Sequence, residues 1–183
     1  MINARLLATA RAVLVVILFV SGTALTQETE PDRGAELLAP LKKDLKQALV
    51  SGMQMGFLNA ISVCKDQAPA IADSFSIEGI EIGRTSHRLR NPANSAPDWV
   101  DTVLKTYLSE DLDRAPRLVI LSNDRLGYVE PIVLQPLCLA CHGKSLAPDV
   151  AAKIKEAYPE DQATGFDVGD LRGVYWVEYP ATE

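Results

Sequence analysis

The stretch RLVILSNDRLGYVEPIVL, residues 117–134, decides the fold. It holds two apolar runs, 117–121 and 128–134, rich in Val, Ile and Leu. Between them lies SNDR, residues 122–125, which is turn chemistry. Short β-branched runs bounded by turn formers read as strands. Two strands joined by so short a connection must run antiparallel, because a parallel pair needs a long crossover. Working outward, residues 174–179 (VYWVEY) read as a closing strand, and 78–86 (EGIEIGRTS) as a strand entering a basic loop. Upstream, residues 36–74 carry Leu37, Leu38, Leu41, Leu45, Ala48 and Leu49 at helical spacing. That periodicity predicts one long helix, with Pro40 in a first turn or at a kink and Pro69 bending or ending it. Shorter helices are predicted at 99–108, with Asp98 as N-cap, and at 149–157. Residues 87–98 and 158–173 read as loop. The order predicts an α+β domain, with helices packed on one antiparallel sheet.

The 183 residues carry 18 Lys+Arg and 24 Asp+Glu, a net charge of −6. An acidic chain is a poor sequence-independent binder of phosphate backbones, so no nucleic-acid partner is expected. Arg5 and Arg11 precede or interrupt an apolar stretch that runs unbroken over 12–20, and small residues follow it. This is the layout of a signal peptide over 1–26, and it predicts export to the periplasm or beyond. The apolar run is too short to span a bilayer comfortably, so no membrane span is expected after cleavage. An uncleaved N-terminal anchor is the competing reading. Residues 27–35 then read as a linker, and 36–183 as the folded domain.

Cysteine and histidine are scarce, three and two in all, yet two Cys and one His fall within five residues. Cys138-Leu139-Ala140-Cys141-His142 is C-x-x-C-H, the c-type haem attachment motif. Two thiols at that spacing reach the two vinyl groups of one porphyrin, and the adjacent imidazole can ligate the iron. One covalent haem c is therefore the expected cofactor, with His142 its proximal ligand. A thiol redox pair, a small-ring disulfide, or a metal site completed by Cys64 or His87 are the alternatives.

For the other face of the iron, the candidates are Cys64, His87, Met53 and Met55. Cys64 shares an apolar stripe with Phe57, Ala60, Ile61, Ala68 and Ile71. On one straight helix Met53 would lie about 16 Å from Cys64, too far to serve the same iron, and Met55 would face away. Gly52, Gly56, Ala60 and Cys64 recur at four-residue steps. Such a row either forms a groove for a flat macrocycle or marks close packing on a neighbouring helix, with Cys64 a small buried hydrophobe. His87 sits among Arg84, Arg88 and Arg90 in a loop that solvent alone can satisfy. Arg84, Arg90 and Arg172 are candidate partners for haem propionates.

Several spaced motifs agree with one family. They are Ala60 to Lys65 (AISVCK) with Ala68-Pro69, Gly83 to Ser86 (GRTS), Arg90 to Asn94 (RNPAN), and Pro97 to Trp99 (PDW). Pro131-Ile132, the C-x-x-C-H-G at 138–143, Tyr158-Pro159 with 161–165, and Gly169-Asp170 with Arg172-Gly173 complete the set. Over roughly residues 36–180 this resembles the single-haem c-type family with a PAS-like fold. Members occur as free exported proteins and as sensor regions of bacterial signalling proteins. The resemblance implies a PAS-like antiparallel sheet and His/Cys axial ligation, with His142 and Cys64 as the two ligands. The reading is redox or small-ligand (gas) sensing through haem iron, with a partner signalling protein as a candidate partner, while the absence of an expected output domain after Glu183 argues against transmembrane signalling in this same chain. A periplasmic single-haem electron carrier with a redox partner is the alternative. No enzymatic activity is expected, because no distal acid–base pair is evident.

Overall fold

The computed structural model describes residues 30–109, 114–122 and 124–181. The expected signal peptide lies outside the described residues. The elements are α1 (Glu30–Gln54), α2 (Phe57–Phe75), β1 (Glu81–Thr85), α3 (Asp98–Ser109), β2 (Arg117–Ile120), β3 (Arg125–Val133), α4 (Leu139–His142), α5 (Pro148–Ala157) and β4 (Leu171–Pro180). The sheet order is β1-β4-β3-β2, and every pairing is antiparallel. This is the α+β architecture, four-stranded and antiparallel, that the 117–134 hairpin predicts. None of the described helices is long and apolar enough to cross a membrane.

The sheet is covered on both faces. Val177 and Tyr179 of β4, Leu126 and Tyr128 of β3, and Ile82 of β1 pack against Leu38, Leu41 and Leu45 of α1 and Ala68 of α2. The alternate residues Val129 and Val174 pack with Val100, Val103, Leu104 and Tyr107 of α3 on the other face. The two-residue period of a strand makes this division automatic. Two glycines admit aromatic rings on the α3 face. A Cβ at Gly127 would stand 2.6 Å from Trp99, and one at Gly83 would stand 2.9 Å from Trp176.

Two sequence expectations change. The single helix over 36–74 is two helices. The chain breaks at Met55–Gly56, where Gly56 takes φ 105°, a conformation that suits glycine. The amides of Met55 and Gly56 turn back onto the carbonyls of Gly52 and Met53, closing α1. Apolar spacing ran through the break, because both helices present an apolar face to the same core. The small-residue row is accordingly a crossing between helices. A Cβ at Gly52 would lie 2.9 Å from Ala60 Cα, so close packing explains these two positions. Residues 30–35 are not linker but the first turns of α1. Pro31 suits a first turn, where its missing N–H is no loss. Gly34 lies directly against the Tyr128 ring, an approach no larger residue permits. Pro40 and Pro69 both lie inside continuous helices rather than at ends.

Candidate functional site

The α1–α2 hairpin, the β1–β4 pair and the segment after β3 enclose a cavity of about 280 Å³. Cys64, Arg84, Arg90, Cys138, Cys141, His142 and Arg172 all line it. These seven come from α2, β1, the following loop, α4 and β4, segments far apart in sequence. Met53 also lines it, whereas His87 and Met55 do not. Met55 is 70% exposed at the hairpin tip. His87 and His142 both make near-perpendicular ring contacts with Phe166, with centroids 5.8 and 6.5 Å away. The three cysteines are free thiols, so the small-ring disulfide is not formed. Among the described residues, no three His, Cys, Asp or Glu side chains gather as a metal cluster. His87, invoked as a fourth ligand for such a site, lies outside the cavity.

The one-turn α4 explains the local geometry. Cys138 is its N-cap, Cys141 stands three residues on, and His142 ends it. Gly143 closes the turn by donating its N–H to the Leu139 carbonyl, 2.9 Å away. Two backbone bonds then tie the turn to residues 165–166: Phe166 N to His142 O at 3.0 Å and Gly165 N to Gly143 O at 2.9 Å. His142 Nδ1 donates to the Ala163 carbonyl at 2.7 Å. That fixes the proton on Nδ1 and leaves Nε2 with a free lone pair, the arrangement of a metal-ligating histidine. Burial, then Arg90 and Arg172, hold the imidazole neutral and push its pKa down to about 3.

Arg90 is committed to protein rather than free for a propionate. Its Nε donates to Asp161 Oδ1 at 3.0 Å, and Nη2 donates to Cys141 O at 2.6 Å and Ala163 O at 3.2 Å. Asp161 Oδ1 also accepts from Ala163 N at 2.9 Å. Arg90 and Asp161 therefore brace the backbone on both sides of His142. The sequence placed Asp161 and Ala163 within the 161–165 family motif but gave neither a role. Asp161 stands in a segment that reads as loop, and the Ala163 contact is a backbone carbonyl with no side-chain signature.

Arg84 and Arg172 remain as cations toward the cavity. Arg172 stacks on Phe166 with 5.6 Å to the ring centroid and donates Nη1 to Arg88 O at 3.2 Å. Burial, then Arg90 and Arg84, lower its pKa to about 10. The Arg84 side chain makes no hydrogen bond or ion pair among the described residues. Three guanidiniums thus line the cavity of a chain that is acidic overall, and Asp161 pairs with that of Arg90. Burial pushes the Cys64 thiol up, and Arg84 and Arg90 oppose that shift.

The model of the family described as Tll0287-like matches residues 4–180. The chain belongs to the Tll0287-like family. A solved structure, the crystal structure of the cyanobacterial haem protein Tll0287, is 25% identical and superposes with a TM-score of 0.55. The match covers 85% of this chain and 99% of that one. No curated protein matches. Within the Tll0287-like fold, the C-x-x-C-H turn follows the central strand β3, and Cys64 reaches the same cavity from the helical hairpin.

Proposed function

We propose that this protein carries one covalent haem c in the cavity and acts as an exported sensor of redox state or of a small gaseous ligand. The observation that carries the reading is the meeting of Cys64, from α2, with the Cys138-Cys141-His142 turn in one cavity. The donor set fits the group. Two thiols one turn apart suit two vinyl carbons, and a neutral imidazole with Nδ1 committed suits iron. The uncompensated guanidiniums of Arg84 and Arg172 suit two propionates. Family membership alongside a haem protein supports the same reading.

When bound, the haem supplies a one-electron couple and a coordination position for diatomic gases. Cys138 and Cys141 would hold it as thioethers. His142 would offer its Nε2 to the iron, kept in that tautomer by the Ala163 carbonyl. Cys64 would provide the other donor, and a thiolate there would favour the ferric state. Arg90 and Asp161 hold the attachment turn in place from behind.

A second reading, a single-haem electron carrier, is favoured by the exposure beside the attachment turn. Leu137, next to Cys138, is 58% exposed and lines the cavity, so the pocket opens to solvent beside the turn and a group held there would be within reach of a partner. One experiment tests both. The holoprotein is purified from the periplasmic fraction, checked for covalent haem on a denaturing gel, and titrated with optical and EPR spectra, with and without CO. A sensor loses Cys64 ligation on reduction and binds CO. A carrier keeps both ligands and does not. Absence of covalent haem, or an axial signature without thiolate in the ferric state, refutes the assignment.

A further inference from the structure

Helical spacing excluded Met53 because one straight helix would hold it far from Cys64. The hairpin removes that argument. The chain reverses at Met55–Gly56, and Met53 lines the same cavity as Cys64. The two helices touch at this level. A Cβ on Gly52 would lie 2.9 Å from Ala60 Cα and 3.2 Å from Val63 Cγ2. Gly52 directly precedes Met53. Ala60 is one turn before Cys64, and Val63 directly precedes it. Two soft sulfur donors therefore hang from one wall of the cavity, while His142 enters from α4.

We propose that Met53 is a second axial donor for the coordination position that Cys64 occupies. The inference rests on the haem reading above. Thiolate and thioether differ in charge, and iron discriminates between them by oxidation state. An anionic thiolate favours ferric iron, whereas a neutral methionine sulfur raises the potential and favours ferrous iron. The exchange balances simply. An external one-electron reductant supplies the electron, and Cys64 leaves with its electron pair and takes a proton from water. A lone pair of the Met53 sulfur replaces it. Methionine has three rotatable bonds, which give its sulfur a wide reach. The turn beside it is uncrowded, since a Cβ on Gly56 would meet no atom within 4 Å.

The test uses the holoprotein as wild type, Cys64→Ala, Met53→Leu and the double variant, followed by absorption, magnetic circular dichroism and EPR in both redox states. Ferric Cys64→Ala should show the far-red methionine–iron charge-transfer band, with a potential above that of wild type. The double variant should lose that band and turn high-spin. Met53→Leu alone should leave the ferric wild-type spectrum intact while changing the ferrous one. The proposal is overturned if ferric Cys64→Ala lacks the methionine band or matches the double variant. A wild-type protein without covalent haem, or without a ferric thiolate signature, instead defeats the underlying haem reading. The two failures are thus separable.

Discussion

Removing the carboxylate behind the C-x-x-C-H turn should destabilise the protein by an amount that can be worked out. The Asp161 side chain is 9% exposed and that of Arg90 12%. Asp161→Ala deletes the acceptor for Arg90 Nε at 3.0 Å and for Ala163 N at 2.9 Å. Breaking one side of a buried ion pair costs about 3–5 kcal/mol. The lower end applies here, because Arg90 keeps the Cys141 and Ala163 carbonyls. For a chain of this size, about 3 kcal/mol lowers the unfolding midpoint by about 6–12 °C. Asp161→Asn keeps an acceptor for Ala163 N and should cost about half as much. Because the cost is a stranded charge, Arg90→Ala combined with Asp161→Ala should be less harmful than the two single losses added. Thermal unfolding by circular dichroism measures all of these. Alkylation of Cys138 and Cys141 in the haem-free chain should quicken in Asp161→Ala, since the turn loses its brace. Lys105→Ala, which breaks only an exposed helical pair with Asp101, serves as control and should leave the midpoint in place. A midpoint for Asp161→Ala within about 2 °C of wild type, too small for a stranded buried charge, would refute the reasoning.

Other outcomes follow from the same geometry. Gly127→Ala should cost about 1–3 kcal/mol in urea unfolding, because its Cβ would overpack the Trp99 ring 2.6 Å away. Gly56→Ala should cost about 1–3 kcal/mol for backbone strain at φ 105°, although the space around it is open. Burial, then Arg88 and Arg172, disfavour the His87 imidazolium and lower its pKa, with Asp170 opposing. The unfolded chain therefore takes up that proton first as pH falls. Stability is full above the ordinary histidine range and declines as pH drops through it, and His87→Gln should flatten the decline in unfolding midpoints. Cys138→Ser with Cys141→Ser should abolish haem retention on a denaturing gel, and retained haem would count against thioether attachment.

The fold was legible where periodicity and turn chemistry agreed. Residues 117–134 specified a hairpin, and the α+β class followed. Asp98 marked the start of α3, and the helix read over 149–157 matches α5 to within one residue. The hairpin at Met55–Gly56 was hidden because apolar residues continue at helical spacing through the turn. Only the glycines signalled it, and their four-residue recurrence mimicked a groove. The C-x-x-C-H turn was legible as a motif because its residues are adjacent in the sequence. Arg90 was visible as a cation, but its partners were not. Asp161 and two backbone carbonyls reach it across loops, and nothing in a linear pattern encodes a contact with a carbonyl.

β4, described above as the strand that pairs with both β1 and β3, also has a consequence for the order of assembly. Until residues 171–180 are in place, the helical hairpin with β1 and the β2–β3 hairpin share no strand pairing. Such long-range closure is the slow part of folding. The same ten residues carry Arg172 and Tyr175 into the cavity wall. Closing the sheet and finishing the pocket are therefore one event, and before it the thiols of Cys138 and Cys141 stand on a segment still open on one side.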